Sequence, residues 1–157
     1  MDFFIDKSRV EFLQANFNEL SFKRQKPSRE LFLTITSPTE LHFIADWYNW
    51  DDGIQVLEWI IDSELCDEGT AKLIFWRAQP QDYTAYEKVE EVTYGKEVFL
   101  LIKKIIDKFY TGFYTRALIA YDPSIDADLQ YSNPKSKWAI PTQLKEPTKG
   151  GEVLIGN

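Results

Sequence analysis

Between Leu41 and Ile61 apolar side chains are so dense that a helical reading leaves only narrow polar stripes, and this restricts the fold more than any other feature. Leu41, Phe43, Ile44, Ala45, Trp47, Tyr48 and Trp50 surround a stripe of His42, Asp46 and Asn49. In the next segment Gln55, Glu58 and Asp62 are the polar stripe among Val56, Leu57, Trp59, Ile60 and Ile61. A helix that is apolar around most of its circumference must be covered on several sides. Both segments are therefore expected inside a layered helical array, with the second at its centre.

Helix boundaries follow from capping chemistry. Ser37-Pro38-Thr39-Glu40 opens the first buried helix with a hydroxyl cap, a proline at the first helical position, where its missing N–H costs nothing, and a glutamate at the third. Asp51-Asp52-Gly53 ahead of a helix over 54–64, and Asp67-Glu68-Gly69 ahead of one over 70–79, set acid pairs at the positive ends of helix dipoles. Their offset of 16 residues is shorter than solenoid repeats, so the echo reads as a repeated cap. Ser8-Arg9-Val10-Glu11 predicts an N-terminal helix with Val10, Leu13, Phe17 and Leu20 on one face, broken by Lys23-Arg24-Gln25-Lys26-Pro27. Leu31 to Thr36 fits either a buried strand or one helical turn.

Thr84-Ala85-Tyr86-Glu87 repeats the capping pattern, and Thr93 or Tyr94 is expected to open the longest helix. That helix carries a stripe of Val98, Leu101, Ile102, Ile105 and Phe109, with Lys103, Lys104 and Lys108 toward its negative end and Gly112 placed to stop it. From Tyr121 onward Pro123, Pro134, Pro141, Pro147 and Gly150-Gly151 predict an extended tail, pinned to the core by Trp138 and Ile140. The expected class is all-α. One domain over 1–157 would hold five to six helices joined by short turns, with its core at about 37–112 and a long irregular tail at about 121–157.

A chain of 157 residues with eleven Phe, eight Tyr and five Trp can fold on its own core. The single Cys66 cannot form an internal bridge, and Asp2 and Asp6 stand where a secretory signal carries positive charge, so a cytoplasmic protein is expected. No apolar run approaches the ~20 residues of a membrane span. The net charge of −7 opposes binding to a phosphate backbone and favours a basic protein partner. The same charge also serves plain solubility.

Candidate chemistry is sparse. His42 and Asp46 at helical spacing suit a base and its orienting acid, or simply a polar stripe; no serine sits in a strand-turn-helix elbow to complete a hydrolase. One His and one Cys fall short of a zinc ligand set. Asp122, Asp126 and Asp128 resemble a calcium loop loosely, without the turn glycine and with Asn133 where a glutamate belongs. Asp51 with Asp52, or Asp67 with Glu68, fit paired catalytic carboxylates, though capping already accounts for them. Cys66 ahead of a helix is either an activated thiol or a buried small hydrophobe. The glycines form no phosphate-binding loop, and no cofactor or metal is expected.

Ala45-Asp46-Trp47-Tyr48-Asn49-Trp50-Asp51-Asp52-Gly53, then Cys66-Asp67-Glu68-Gly69-Thr70-Ala71 and Leu73-Ile74-Phe75-Trp76, resembles the bacterial family catalogued as domain of unknown function 4274. The likeness spans Glu40 to Trp76 and more weakly extends to Pro123; Leu41-His42 stands where the family has a Leu-His pair. The resemblance implies a helical bacterial intracellular domain and carries no reaction with it. Small acidic proteins of this kind are often immunity factors that neutralise a toxin by covering it. The expectation is thus a protein-binding domain engaging a basic partner through Asp46, Asn49, Asp51, Asp52, Asp67 and Glu68. The alternative is a small hydrolase-like enzyme using His42 and Asp46.

Overall fold

The computed structural model describes residues 1–156. Its elements in chain order are β1 (Phe3–Ile5), α1 (Lys7–Phe17), α2 (Arg29–Leu33), α3 (Pro38–Asp46), α4 (Gln55–Asp62), α5 (Glu68–Arg77), α6 (Lys96–Tyr110), α7 (Thr142–Lys145) and β2 (Val153–Ile155). The architecture is mostly helical, as expected. Two strands correct the all-α class, because β1 and β2 pair in parallel with Phe3 opposite Val153 and Ile5 opposite Ile155.

The stretch from Leu31 to Thr36 is helical only through Leu33, as the end of α2: the Ser28 hydroxyl accepts from the Leu31 amide at 3.2 Å, and Phe32 and Ile35 turn into the core. Proline at the start of α3 behaves as expected, but the Ser37 side chain makes no cap bond. This helix ends at Asp46, short of Trp50. There the Asn49 side chain accepts from the Asp51 amide at 3.0 Å and captures the chain into a 3₁₀ turn, Trp50–Asp52, followed by Gly53 at φ 86°.

Three other capping expectations fail as well. Asp52 does not cap α4, whose N-cap is Ile54; its carboxylate reaches across to the amides of Leu20 and Ser21, both at 3.2 Å. The Ser8 pattern is likewise replaced, since α1 begins at Lys7 after Asp6. Thr84 to Glu87 opens no helix; Glu91 instead caps the amides of Glu87 and Lys88 at 2.9 Å each, and α6 begins only after Gly95 at φ 78°.

The centre is α5 and not α4. From Gly69 to Trp76 every residue is buried, because α5 packs against α3 and α6 and is overlaid by the C-terminal segments. Among the buried is Lys72, whose Nζ donates to the Glu146 carbonyl at 2.8 Å and pairs with Glu68 at 3.4 Å. The C-terminal segment is mostly irregular but carries the short α7 and β2. Leu144 of α7 is wholly buried, worth roughly 1.5–3 kcal/mol, and its carbonyl accepts the Trp76 indole N–H at 2.7 Å. Trp138 and Ile140 do pack on the core, and the Trp138 indole donates to Tyr86 at 2.7 Å. Beyond α7 the chain bridges Thr148 to Tyr121 and Gly151 to Ile119 before entering β2.

Candidate functional site

Asp67 and Glu68 were expected to face a partner. Asp67 is instead 1% exposed, and its carboxylate collects three backbone amides: Gly69 at 2.9 Å, Leu118 at 2.7 Å and Ile119 at 3.2 Å. It caps α5 and docks a distant segment at once. The Glu68 amide adds a bond to the Arg116 carbonyl at 2.7 Å. Gly69 permits the approach, since a Cβ there would run into the Ile119 carbonyl oxygen. The Cys66-to-Ala71 motif is therefore a backbone-docking device. Cys66 itself is buried, and burial, helped by the adjacent Asp67, pushes its thiol far above the ordinary range, which leaves it inert.

The other expected contact residues are also largely committed within the fold. Asn49 and Asp52 hold backbone amides as described, while Asp51 stays exposed. Asp46 pairs with Arg77 at 2.8 Å. The aspartates of the loose calcium pattern do not converge: Asp122 accepts from Ser124, Asp128 from the Gln130 amide, and Asp126 from Tyr121 and Arg77. Among the described residues no group of three or more His, Cys, Asp and Glu side chains is arranged to hold a metal ion.

His42 lies against a cleft of about 260 Å³ formed by α3, α5 and the segments around 120–125 and 147–152. Its ring is 6% exposed, and Nδ1 lies 2.8 Å from the Thr70 hydroxyl. Nε2 makes no hydrogen bond to any described residue. Asp46, one helical turn on, is held by Arg77 and not by the ring, so the expected base and orienting acid do not form a dyad. Burial lowers the imidazole pKa to about 4; Asp46 opposes that shift and Arg77 adds to it, so the ring is neutral at pH 7. Thr70 has the hydrogen-bond geometry of a nucleophile beside its base, yet it is 0% exposed, and no substrate carbonyl can reach it.

Arg77 organises the rim. It donates to the Asp46 carbonyl at 2.6 Å and to Asp126 at 3.2 Å, and Asp126 in turn accepts the Tyr121 hydroxyl at 2.7 Å. Burial, then that bond to Asp126, pushes the Tyr121 phenol well up. Asp122 and Glu152 complete the charged lining, and neither forms an ion pair among the described residues. Three carboxylates against one guanidinium leave the lining two negative charges in excess. The Thr148 hydroxyl, also bordering the cleft, is buried without a hydrogen-bond partner. A larger cleft of about 590 Å³, enclosed by the segments 129–133 and 136–140, offers only lysines as charged groups.

Sequence reasoning found His42 and Asp46 but missed Arg77, Asp122, Thr148 and Glu152 as parts of one site. They come from segments far apart in the chain, and none carries a local motif.

These features define a mostly helical domain with a fully buried central helix and an acidic cleft beside it. Residues 36–110, from the approach to α3 to the end of α6, match the family described as Domain of unknown function (DUF4274). No curated protein and no solved structure matches the chain. His42, Asp46 and Arg77 lie inside the matched segment, whereas Asp122, Thr148 and Glu152 lie beyond it. Among the described residues no helix is long and apolar enough to cross a membrane.

Proposed function

We propose that this chain is a protein-binding domain that engages a basic partner, acting in the bacterial cytoplasm as an immunity factor that neutralises a toxin by covering it. The observation that carries this reading is the excess of negative charge around the His42 cleft, with Asp122 and Glu152 free of ion pairs among the described residues, in a chain of net charge −7. Opposite charge on a partner would raise the encounter rate, and the exposed Asp51 would contribute to the same field. The hydrolase reading has less support. Asp46 is occupied by Arg77, and the only hydroxyl on the His42 ring is sealed from solvent.

The test is affinity capture by the tagged chain, with Asp122→Lys/Glu152→Lys as a second bait, each at low and high salt. A stoichiometric basic protein held by the native chain, lost at high salt and lost with the reversed bait, is the expected result. Equal capture by both baits, or capture indifferent to salt, would overturn the acidic-cleft reading.

A further inference from the structure

We infer that the His42 cleft is the receptor for a single cationic side chain, a lysine ammonium or arginine guanidinium presented on a polypeptide, and this rests on the binding role proposed above. Two independent features converge. One is charge: Arg77 is shared between Asp46 and Asp126, while Asp122 and Glu152 line the cleft without counter-ions among the described residues. The other is unsatisfied polarity in the wall. Thr148 is 6% exposed with an unpartnered hydroxyl, and His42, equally buried, has Nε2 uncommitted. Buried polar atoms are nearly always paired in folded proteins, so the Thr148 hydroxyl, beside the uncommitted Nε2 in the same lining, marks a place where a donor or acceptor from outside is missing.

The polarity of those atoms specifies the guest. Where Nδ1–H is donated to Thr70, Nε2 is an acceptor; the other tautomer reverses both roles, and the Thr148 hydroxyl accepts as readily as it donates. A guest offering several N–H donors and one positive charge suits the acceptor tautomer and the excess of carboxylates, which describes an ammonium or guanidinium; the same carboxylates oppose a carboxylate or phosphate. Size narrows it further: about 260 Å³ is below the ~300–1,000 Å³ of drug-sized ligand sites and suits one side chain.

The chain has one histidine, so the imidazole is a self-assigning NMR reporter inside the cleft. The full chain is titrated with capped lysine and capped arginine (N-acetyl, N-methylamide), with capped norleucine as the uncharged control and pentylamine as the free cation. Saturable movement of the His42 resonances with a Kd of roughly millimolar is expected from the capped cations. Norleucine should leave them in place. Asp122→Asn/Glu152→Gln, which alters two exposed positions and keeps an acceptor oxygen for Ser124, should weaken binding by about fivefold. Tighter binding of pentylamine than of capped lysine would overturn the polypeptide source. Movement by norleucine, or none by any cation, would overturn the inference itself. If a salt-sensitive partner is captured while the cations leave His42 unmoved, only this inference falls. If the cations bind but no partner is captured, the binding role falls instead.

Discussion

His42 makes the stability of this fold depend on acidity in a way that can be worked from its surroundings. An unfolded chain binds a proton on this imidazole near pH 6.5, whereas burial holds off protonation in the folded state until about pH 4. Above the unfolded value both states are neutral and the group contributes its full stability. As pH falls through that window the unfolded state gains the proton first, so stability is lost from about 6.5 downward, and the loss is complete below the folded value. At ~1.4 kcal/mol per pKa unit the total is about 3 kcal/mol, of which about 2 kcal/mol is gone at pH 5. The comparison is His42→Gln, which keeps a polar side chain and does not titrate, by urea unfolding followed through tryptophan fluorescence at pH 7 and pH 5. Carboxylates titrate alike in both proteins and cancel. The native-minus-variant stability should shrink by about 2 kcal/mol between the two conditions. A change below about 0.5 kcal/mol would mean that the ring is solvated and that burial does not govern its proton affinity.

Asp67→Ala should cost about 3 kcal/mol or more, because it strands amides of three residues at ~1–3 kcal/mol each, and hydrogen exchange at Leu118 and Ile119 should accelerate first. A loss under about 1 kcal/mol would show that water replaces the carboxylate. Gly69→Ala, which on helix propensity alone would stabilise by up to ~1 kcal/mol, should instead destabilise by about 1–3 kcal/mol in chemical unfolding. A stabilised variant would show that the Ile119 carbonyl yields. Arg77→Ala removes a positive neighbour that lowers the His42 pKa and leaves Asp46 to raise it. NMR titration of the single imidazole should therefore find an upward shift, and an unchanged or lower value would refute the placement of that guanidinium.

What was legible in the chain was whatever rests on near neighbours in sequence. The buried faces of α3 and α4, the proline start of α3 and the Asp67 cap all follow from side chains within one or two helical turns. The failed cap at Asp52 has a plain physical cause. A short acid beside a helix start satisfies whichever amide comes within reach, and for Asp52 that was a loop 31 and 32 residues earlier. β2 was invisible because three residues carry no periodicity and their partner strand lies at the other end of the chain. The cleft was half-visible. Its α3 wall carried a spacing signal, whereas Asp122, Thr148 and Glu152 become a wall only once Asp67 has docked residues 118–119 and the Tyr121–Thr148 bridge has closed.

The parallel pairing of β1 with β2 also sets a timetable. Bonds such as Glu152 N–H to Asp2 join residues 150 apart, among the longest loops this chain can close. During synthesis β1 emerges first and waits roughly 8–30 s, at ~5–20 residues per second, before β2 exists to receive it. α3 and α5 are made in that interval, and α3 meets both strands only once they have paired. The sheet is then a late latch, and a chaperone or protease meeting the nascent protein would find Phe3 to Ile5 unpaired throughout.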